Sequence, residues 1–479
     1  MRRAEPVRVV ITGASGFVGA KLIAALASSP HELVAIARGR IDGLPATATW
    51  RAADLFSAQS TADALEGADV AVYLVHSMMP STRLFQGDFH DTDLLLADNF
   101  ARGCVEKGVR RILYLGGLLP AGHVSQHLES RLEVGEVLRA TGIPVTEVRA
   151  GMIVGPGGSS FELLKTLVER LPAMILPEWT QRNTQAVFLD DVVRLLAAAV
   201  DDPGLEGQTL DAVNGEPLTY EALLRQMAET LGRRRWMLPV PIRSTAFSKR
   251  WVTLFGGANH ELVSPLIDSL LCDLPAAEPT PLVRPFIQFT SFRAMAQEAL
   301  AREDQAPVPR LKRHPRHSNT VRSIQRLPSL PERDCRFIAT EYMRWLPVLF
   351  RALIRVHADA DTGRVRFVAA GLGLTLLELQ YIDGKSPEDR RKFHIVGGVL
   401  TRTTDTGWLE FRQVQHRRYT LAAIHEFVPA LPWYVYRMSQ APIHGWVMRR
   451  FGAHLARVAR GGPGLPEPGP RYSGAPKRG

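Results

Sequence analysis

The sequence predicts a doubly wound parallel α/β domain of the Rossmann type with a small α/β lobe, followed by an α+β domain built on an antiparallel sheet. Three observations predict it. Apolar runs alternate with helix-like runs over roughly the first 200 residues. A turn with glycines at three-residue spacing joins the first apolar run to the first helix. After a Pro- and Arg-rich stretch, the alternation gives way to successive strand-like runs separated by turn residues.

Taken in order, the strand-like runs of the first part are VRVVIT, ELVAIA, VAVYLV, RILYLG and VTEVRAG. They are apolar almost throughout, as strands are when helices cover both faces of a parallel sheet. GAKLIAALAS, STADALEG, DTDLLLADNFARGCVEKG and LESRLEVGEVLRATG lie between them and read as helices. From about 205 to 300 the rhythm loosens around the amphipathic LTYEALLRQMAETLG, which predicts a lobe closing over the carboxyl edge of the sheet. Residues 1–300 thus form the first domain, and 301–331 a Pro/Arg-rich linker. Residues 332–460 form the α+β domain, with strands such as GWLEFRQVQ and YTLAAIHEFV and a long last helix gripped by the sheet. Residues 461–479 are Gly/Pro-rich and predict a disordered tail.

Size and composition narrow the function. A chain of 479 residues that is 46% hydrophobic can fill more than one core. Cys104, Cys272 and Cys335 are scattered, which excludes a paired-cysteine zinc site and a disulfide framework. MRRAEPVRVVITG runs straight into a strand without an apolar signal core, and no uncharged apolar run reaches 18 residues, so a cytoplasmic protein is expected. The net charge of +10 comes from dispersed arginines, so no specific nucleic acid is expected as partner. Peripheral membrane contact and oligomerisation stay open.

The glycine turn carries the chemistry. Gly13, Gly16 and Gly19 lie between a strand ending at Thr12 and a helix starting near Gly16. Missing side chains let the chain turn tightly and let a pyrophosphate reach the backbone amides at the helix amino terminus. A tight turn without a ligand is the alternative. At the end of the second strand stand Arg38 and Arg40, with no acid until Asp42. A guanidinium suits a 2′-phosphate, which favours NADP(H) over NAD(H). The alternative is a solvated arginine in an Arg-rich chain.

This spacing, with VYLVHSM, RILYLGGL, SRLEVGEVLRATGIPVTEVRAGMIVGPGGSSFELL and LTYEALLRQMAE, resembles the extended and atypical short-chain dehydrogenase/reductase superfamily. The likeness is to its NmrA-like and epimerase/dehydratase-like NAD(P)H-binding members, in which a further domain follows. The last third is similar, more loosely, to that appended domain and to helix-grip folds. The resemblance implies that Thr12, Gly13, Ser15, Gly16, Phe17, Val18 and Gly19 hold the cofactor with Arg38. It implies that Asp54 and Leu55 lie against the adenine, and that Val75, His76 and Ser77 border the ribose and nicotinamide.

The catalytic pattern of that superfamily is altered. Gly116 and Gly117 stand where a serine is usual, and His127 and Arg131 occupy the spacing of its Tyr-x-x-x-Lys pair. Residues four apart share a helix face. Histidine transfers protons near neutral pH, and a nearby guanidinium favours the neutral imidazole. The pair reads either as a substitute acid/base couple or as what is left after catalysis was lost. His123 and Ser125 are candidate accessories on the preceding loop. Asp190 and Asp191 read as helix-capping residues, and no metal site is expected. The readings that follow are an oxidoreductase or isomerase acting on a small or apolar carbonyl compound, a non-catalytic NADP(H) sensor, and a carrier of a lipid-like ligand in the last third.

Overall fold

The computed structural model describes residues 5–462 except 78–83, 121, 123, 215, 242–272, 275–277, 304–319, 352, 360, 383–387 and 405. His123 and Cys272 lie outside the described residues. The chain divides into two compact units, Met1–Pro80 with Thr92–Pro315, and Ser81–Asp91 with Arg316–Gly479.

The first unit is built on β1 (Arg8–Thr12), β2 (Glu32–Ala37), β3 (Ala48–Ala52), β4 (Val70–Tyr73), β6 (Arg111–Gly117), β7 (Val145–Ala150) and β11 (Thr209–Ala212). These form a parallel sheet in the order β11-β7-β6-β4-β1-β2-β3. β1 pairs β2 on one side, with Val10 opposite Val34, and β4 on the other, with Val10 opposite Ala71. The order therefore reverses at β1, which opens a crevice between the carboxyl ends of β1 and β4. The central strands are apolar because both faces are covered, and Val9, Val10, Ile11, Val72 and Leu113 are fully buried. The covering helices are α1 (Phe17–Leu26), α2 (Ala58–Ala64), α3 (Phe89–Glu106), α4 (Gln126–Arg139) and α6 (Leu189–Asp201).

A lobe is formed by α5 (Ser159–Arg170), α7 (Tyr220–Thr230) and the helix Phe292–Ala301, with β8 (Met152–Val154), β9 (Ala173–Leu176), β10 (Asn183–Phe188), β12 (Pro217–Thr219) and β13 (Trp236–Pro239). Phe161, Leu223, Met227 and Phe292 close its core.

The second unit is an eight-stranded sheet. It contains β5 (Leu84–Gln86), β14 (Val321–Leu327), β15 (Ile354–Asp359), β16 (Arg364–Ala369), β17 (Leu374–Tyr381), β18 (Arg390–Gly397), β19 (Trp408–Val414) and β20 (Tyr419–Phe427). Its order is β15-β16-β17-β18-β19-β20-β14-β5. All neighbours are antiparallel except β5, which runs parallel to β14. Phe411, Leu409 and Ile395 of this sheet pack with Trp345 of the helix Cys335–Leu349 and with Met448, Phe451 and Leu455 of the helix Gln440–Ala459. The last helix is thus held against the sheet. Among the described residues, no helix is long and apolar enough to cross a membrane.

Two expectations change. Val321–Leu327, read as part of the linker, is β14, because Val321, Ile324 and Leu327 are buried and its arginines are paired rather than solvated. Residues 84–86, read as belonging to the first domain, are an edge strand of the second sheet.

The sheet face carrying Trp408, Glu410 and Arg412 is polar and buried. Burial alone would raise the Glu410 carboxyl, but Arg412 and Arg390 hold it well below the usual carboxylate range. Cross-strand partners Trp408 and His425 stack at 4.8 Å. Neither His425 ring nitrogen meets a partner among the described residues, and burial pushes the imidazole down to about 3. The unfolded chain then binds a proton that the folded chain refuses, so stability falls as pH drops from about 6.5 toward 3, by up to about 1.4 kcal/mol per pH unit. His425→Phe keeps the stack and removes the titration. Acid unfolding followed by circular dichroism is expected to shift to lower pH in this variant, with little change near neutrality.

Candidate functional site

The crevice is set by the glycine turn. Gly13 has φ +70, and a Cβ there would stand 2.8 Å from the Leu74 carbonyl oxygen. A Cβ on Gly19 would stand 2.3 Å from the Gly13 oxygen. No larger residue fits either position while α1 stays where it is. The Gly16 amide closes the turn on the Gly13 carbonyl at 2.8 Å, and no side chain caps α1. Its first amides are therefore left for an anionic group, which is what a pyrophosphate needs. Ser15 and Phe17 are partly exposed here and Val18 is buried. The buried Thr12 hydroxyl donates to the Val72 carbonyl at 2.9 Å and locks β1 to β4.

Just past β4 the chain reaches Val75, His76 and Ser77, and here the structure brings together what the sequence placed apart. His76 Nδ1 lies 2.7 Å from Asp93 Oδ2, and His76 Nε2 lies 3.2 Å from His127 Nδ1. Asp93, on the first turns of α3, also accepts from the Ser77 amide at 2.8 Å and from the Ser130 hydroxyl at 3.1 Å. Burial would raise the Asp93 carboxyl, but His76 and Arg131, with these hydrogen bonds, hold it below its ordinary value. Burial, with His76 and Arg131 nearby, pushes the His127 imidazole down to about 3, so it is neutral at physiological pH.

His127 and Arg131 are one turn apart on α4, as their spacing predicts. Ser125 caps that helix through the Leu128 amide. Arg131 is buried, donates to the Val75 carbonyl at 3.3 Å and to the Leu115 carbonyl, and lies over the Tyr114 ring. Its guanidinium thus ties the ends of β4 and β6 while lending positive charge to the histidine pair. The serine-free end of β6 is closely packed: a Cβ on Gly116 would meet Glu147 Oε1 at 2.5 Å, and one on Gly117 would meet Leu128 at 3.0 Å.

Other expected residues fall elsewhere. Arg38 and Arg40 are exposed beyond the end of β2. Asp54 accepts from the Phe56 amide at 3.2 Å and turns the chain, and buried Leu55 gives its carbonyl to Asn99 at 2.7 Å. Asp190 and Asp191 do not cap α6, whose N-cap position is Phe188. They lie in its first turn, Asp190 paired to Arg302 at 2.6 Å and Asp191 to Arg194 at 2.9 Å. One trio, Asp88, His90 and Asp91, brings its ligand atoms within 4.8 Å of one another, but the Asp91 carboxylate is paired to Arg326 at 2.8 Å.

Sequence reading missed Asp93 and Ser130. The available signal was an acid early in the helix, in DTDLLLADNF, and only the fold reveals that it faces His76.

With Asp93 ionised, His76 Nδ1–H donates to it and His76 Nε2 accepts the Nδ1–H of His127. His127 Nε2 is then a base. A proton taken at that atom lets the Nδ1 proton pass to His76, so the positive charge settles beside Asp93 and His127 ends neutral.

Residues 9–143 match the NAD dependent epimerase/dehydratase family. An uncharacterised protein of Mycobacterium tuberculosis is 30% identical over 266 residues, 55% of this chain and 27% of its own length. The match thus spans little more than a quarter of that relative. UDP-glucose 4-epimerase of Vibrio cholerae is 21% identical over 306 residues, 58% of this chain and 90% of that protein. Triphenylmethane reductase of Citrobacter sp. superposes with a TM-score of 0.50 at 19% identity, over 61% of this chain and 99% of that one, which shows a shared fold.

Asp93→Asn leaves the His76 Nδ1 proton facing an amide. A loss of about 1–3 kcal/mol is expected in urea unfolding near pH 7. The lowered carboxyl of Asp93 contributes fully above its unfolded value of about 3.9 and loses that contribution as pH falls further. The gap between wild type and variant should therefore narrow when unfolding is repeated at about pH 3.

Proposed function

We propose that the first unit, an epimerase/dehydratase-type member of the short-chain dehydrogenase/reductase superfamily, is an NADP(H)-dependent oxidoreductase acting on a small or apolar carbonyl compound. The observation that carries this reading is the line Asp93–His76–His127 beside the crevice that the glycine turn opens. A chain kept only for its fold has no need of a buried carboxylate aligned through one imidazole onto a second.

The residues present fit the dinucleotide. Gly13 and Gly19 let the turn and α1 close on each other, and the exposed Gly16 leaves the uncapped start of α1 open where a pyrophosphate would be held. Arg38 and Arg40 supply the charge that a 2′-phosphate requires. When bound, the nicotinamide supplies or accepts hydride. This chain supplies the proton. In reduction, His127 Nε2–H protonates the substrate oxygen, the His76 proton returns to His127 Nδ1, and His76 is left neutral against Asp93. In oxidation the same steps run in reverse. Arg131 keeps His127 neutral between turnovers and holds the strand ends that position His76.

NADPH should bind with measurable heat in calorimetry and be oxidised in the presence of some member of a panel of aldehydes, ketones and quinones. His127→Ala should lower kcat by about 10²–10⁴-fold with NADPH affinity little changed. Arg38→Glu should weaken NADPH by about tenfold or more and spare NADH. Binding of NADPH with no turnover of any carbonyl would overturn the catalytic reading and leave a nucleotide sensor in its place.

A further inference from the structure

The second unit holds a cavity of about 170 Å³ between its sheet and the helices Cys335–Leu349 and Gln440–Ala459. Its wall is apolar apart from His444, whose Nε2 lies 3.1 Å from the Ser323 hydroxyl. A void of comparable size lined by aliphatic and aromatic side chains stays dry and accepts a small apolar molecule.

The surroundings of this cavity are unusual. Beside one lining residue after another stands an exposed apolar neighbour: Leu353 next to Ile354, Val399 next to Leu400, and Ile443 next to His444. Trp446 stands two positions before Met448, and its ring meets Phe350 at 6.1 Å. Leu372, at the β16–β17 turn, is 82% exposed, and Met438 is 84% exposed. Backbone bonds bring the strand-end segments to one end of the unit, and the Tyr436 ring, two positions before Met438, meets Phe427 at the end of β20 at 6.3 Å. The Ala370 amide donates to the Leu353 carbonyl, Val399 to Thr375, and Ala430 to Leu400, at 2.8, 3.0 and 2.9 Å. Isolated exposed apolar side chains need no explanation, but several of them beside the lining of an apolar cavity do.

Charge identifies the occupant. Between Glu426 and Glu467 there is no acidic residue. Arg437, Arg449 and Arg450 are exposed in that interval, with Arg351 and Arg402 exposed on the neighbouring turns. Arg450 lies over the Trp446 ring. Long apolar side chains interleaved with arginine and aromatic rings match the boundary of a bilayer, where the arginine stems lie in the acyl region and their heads reach anionic headgroups.

We propose that this end of the second unit docks on an anionic lipid bilayer, with the mouth of the cavity toward the lipid. An apolar molecule then passes between membrane and cavity without crossing water. This goes beyond the reading of the first unit and does not depend on it.

The test is co-sedimentation of the full chain with vesicles of phosphatidylcholine, with and without phosphatidylglycerol, at low and high salt. Binding to the anionic vesicles, weakened by salt, is expected. The double substitution Leu372→Asp with Met438→Asp should lower the partition coefficient by at least about tenfold, since each large apolar side chain transferred from water supplies a decade or more. Both positions face solvent, so the melting temperature should stay unchanged. Arg449→Glu with Arg450→Glu should reduce binding to anionic vesicles at low salt only. Absence of binding to anionic vesicles would overturn the proposal. So would a dimer in analytical ultracentrifugation that the Leu372→Asp and Met438→Asp pair dissociates without changing vesicle binding, because these side chains would then serve a second copy of the chain.

Discussion

The first unit depends on one close approach, that of α1 to the turn that follows β1. With Gly13 in the left-handed region and no side chain on Gly19, the start of α1 comes within contact of the Gly13 carbonyl. That approach sets α1 over the sheet, aims its uncapped amides at the crevice, and leaves room for the Leu74 carbonyl against Gly13. Leu74 begins the segment that carries Val75, His76 and Ser77. The same contact that brings the uncapped start of α1 beside β1 therefore fixes the starting point of the chain that presents His76.

In the proposed reaction, the exchange of the usual tyrosine and lysine for His127 and Arg131 changes how the proton is managed. A lysine beside a tyrosine acts by charge, lowering the pKa of a group that must lose its proton. Here the acting group is already neutral, because burial and the positive neighbours push the His127 imidazole down to about 3. A base so weak would be a poor proton acceptor alone. The bond to His76 relieves this, because the proton can move on to an imidazole whose other nitrogen faces the Asp93 carboxylate. Arg131 is then free to do a structural task, and its bonds to the Val75 and Leu115 carbonyls join the ends of β4 and β6.

What the sequence made legible, and what it hid, follow from the range of the interactions. The glycine turn is local, so its spacing exposed it, and the family resemblance pointed to His127 and Arg131, four residues apart on one helix. Asp93 lies 17 residues from His76 and 37 from Ser130, and no periodicity ties those positions together. β14 was hidden by composition. VRSIQRL has the apolar positions of a buried strand, but its arginines and those upstream made it look solvated, although Arg322 pairs with Glu426 and Arg326 with Asp91. β5 was hidden by brevity, since LFQ carries too few residues to show alternation and pairs with a strand more than 230 residues away.

β5 also shows that the two units are not successive beads. The chain leaves the end of β4, contributes Leu84–Gln86 to the second sheet, and returns through α3. Within the first turn of that helix, Asp91 holds Arg326 of β14, and two positions later Asp93 holds His76. One helical turn thus pairs a half-buried arginine in one unit and orients a half-buried imidazole in the other. A carboxylate lost at either position leaves its partner, Arg326 or His76, without that bond.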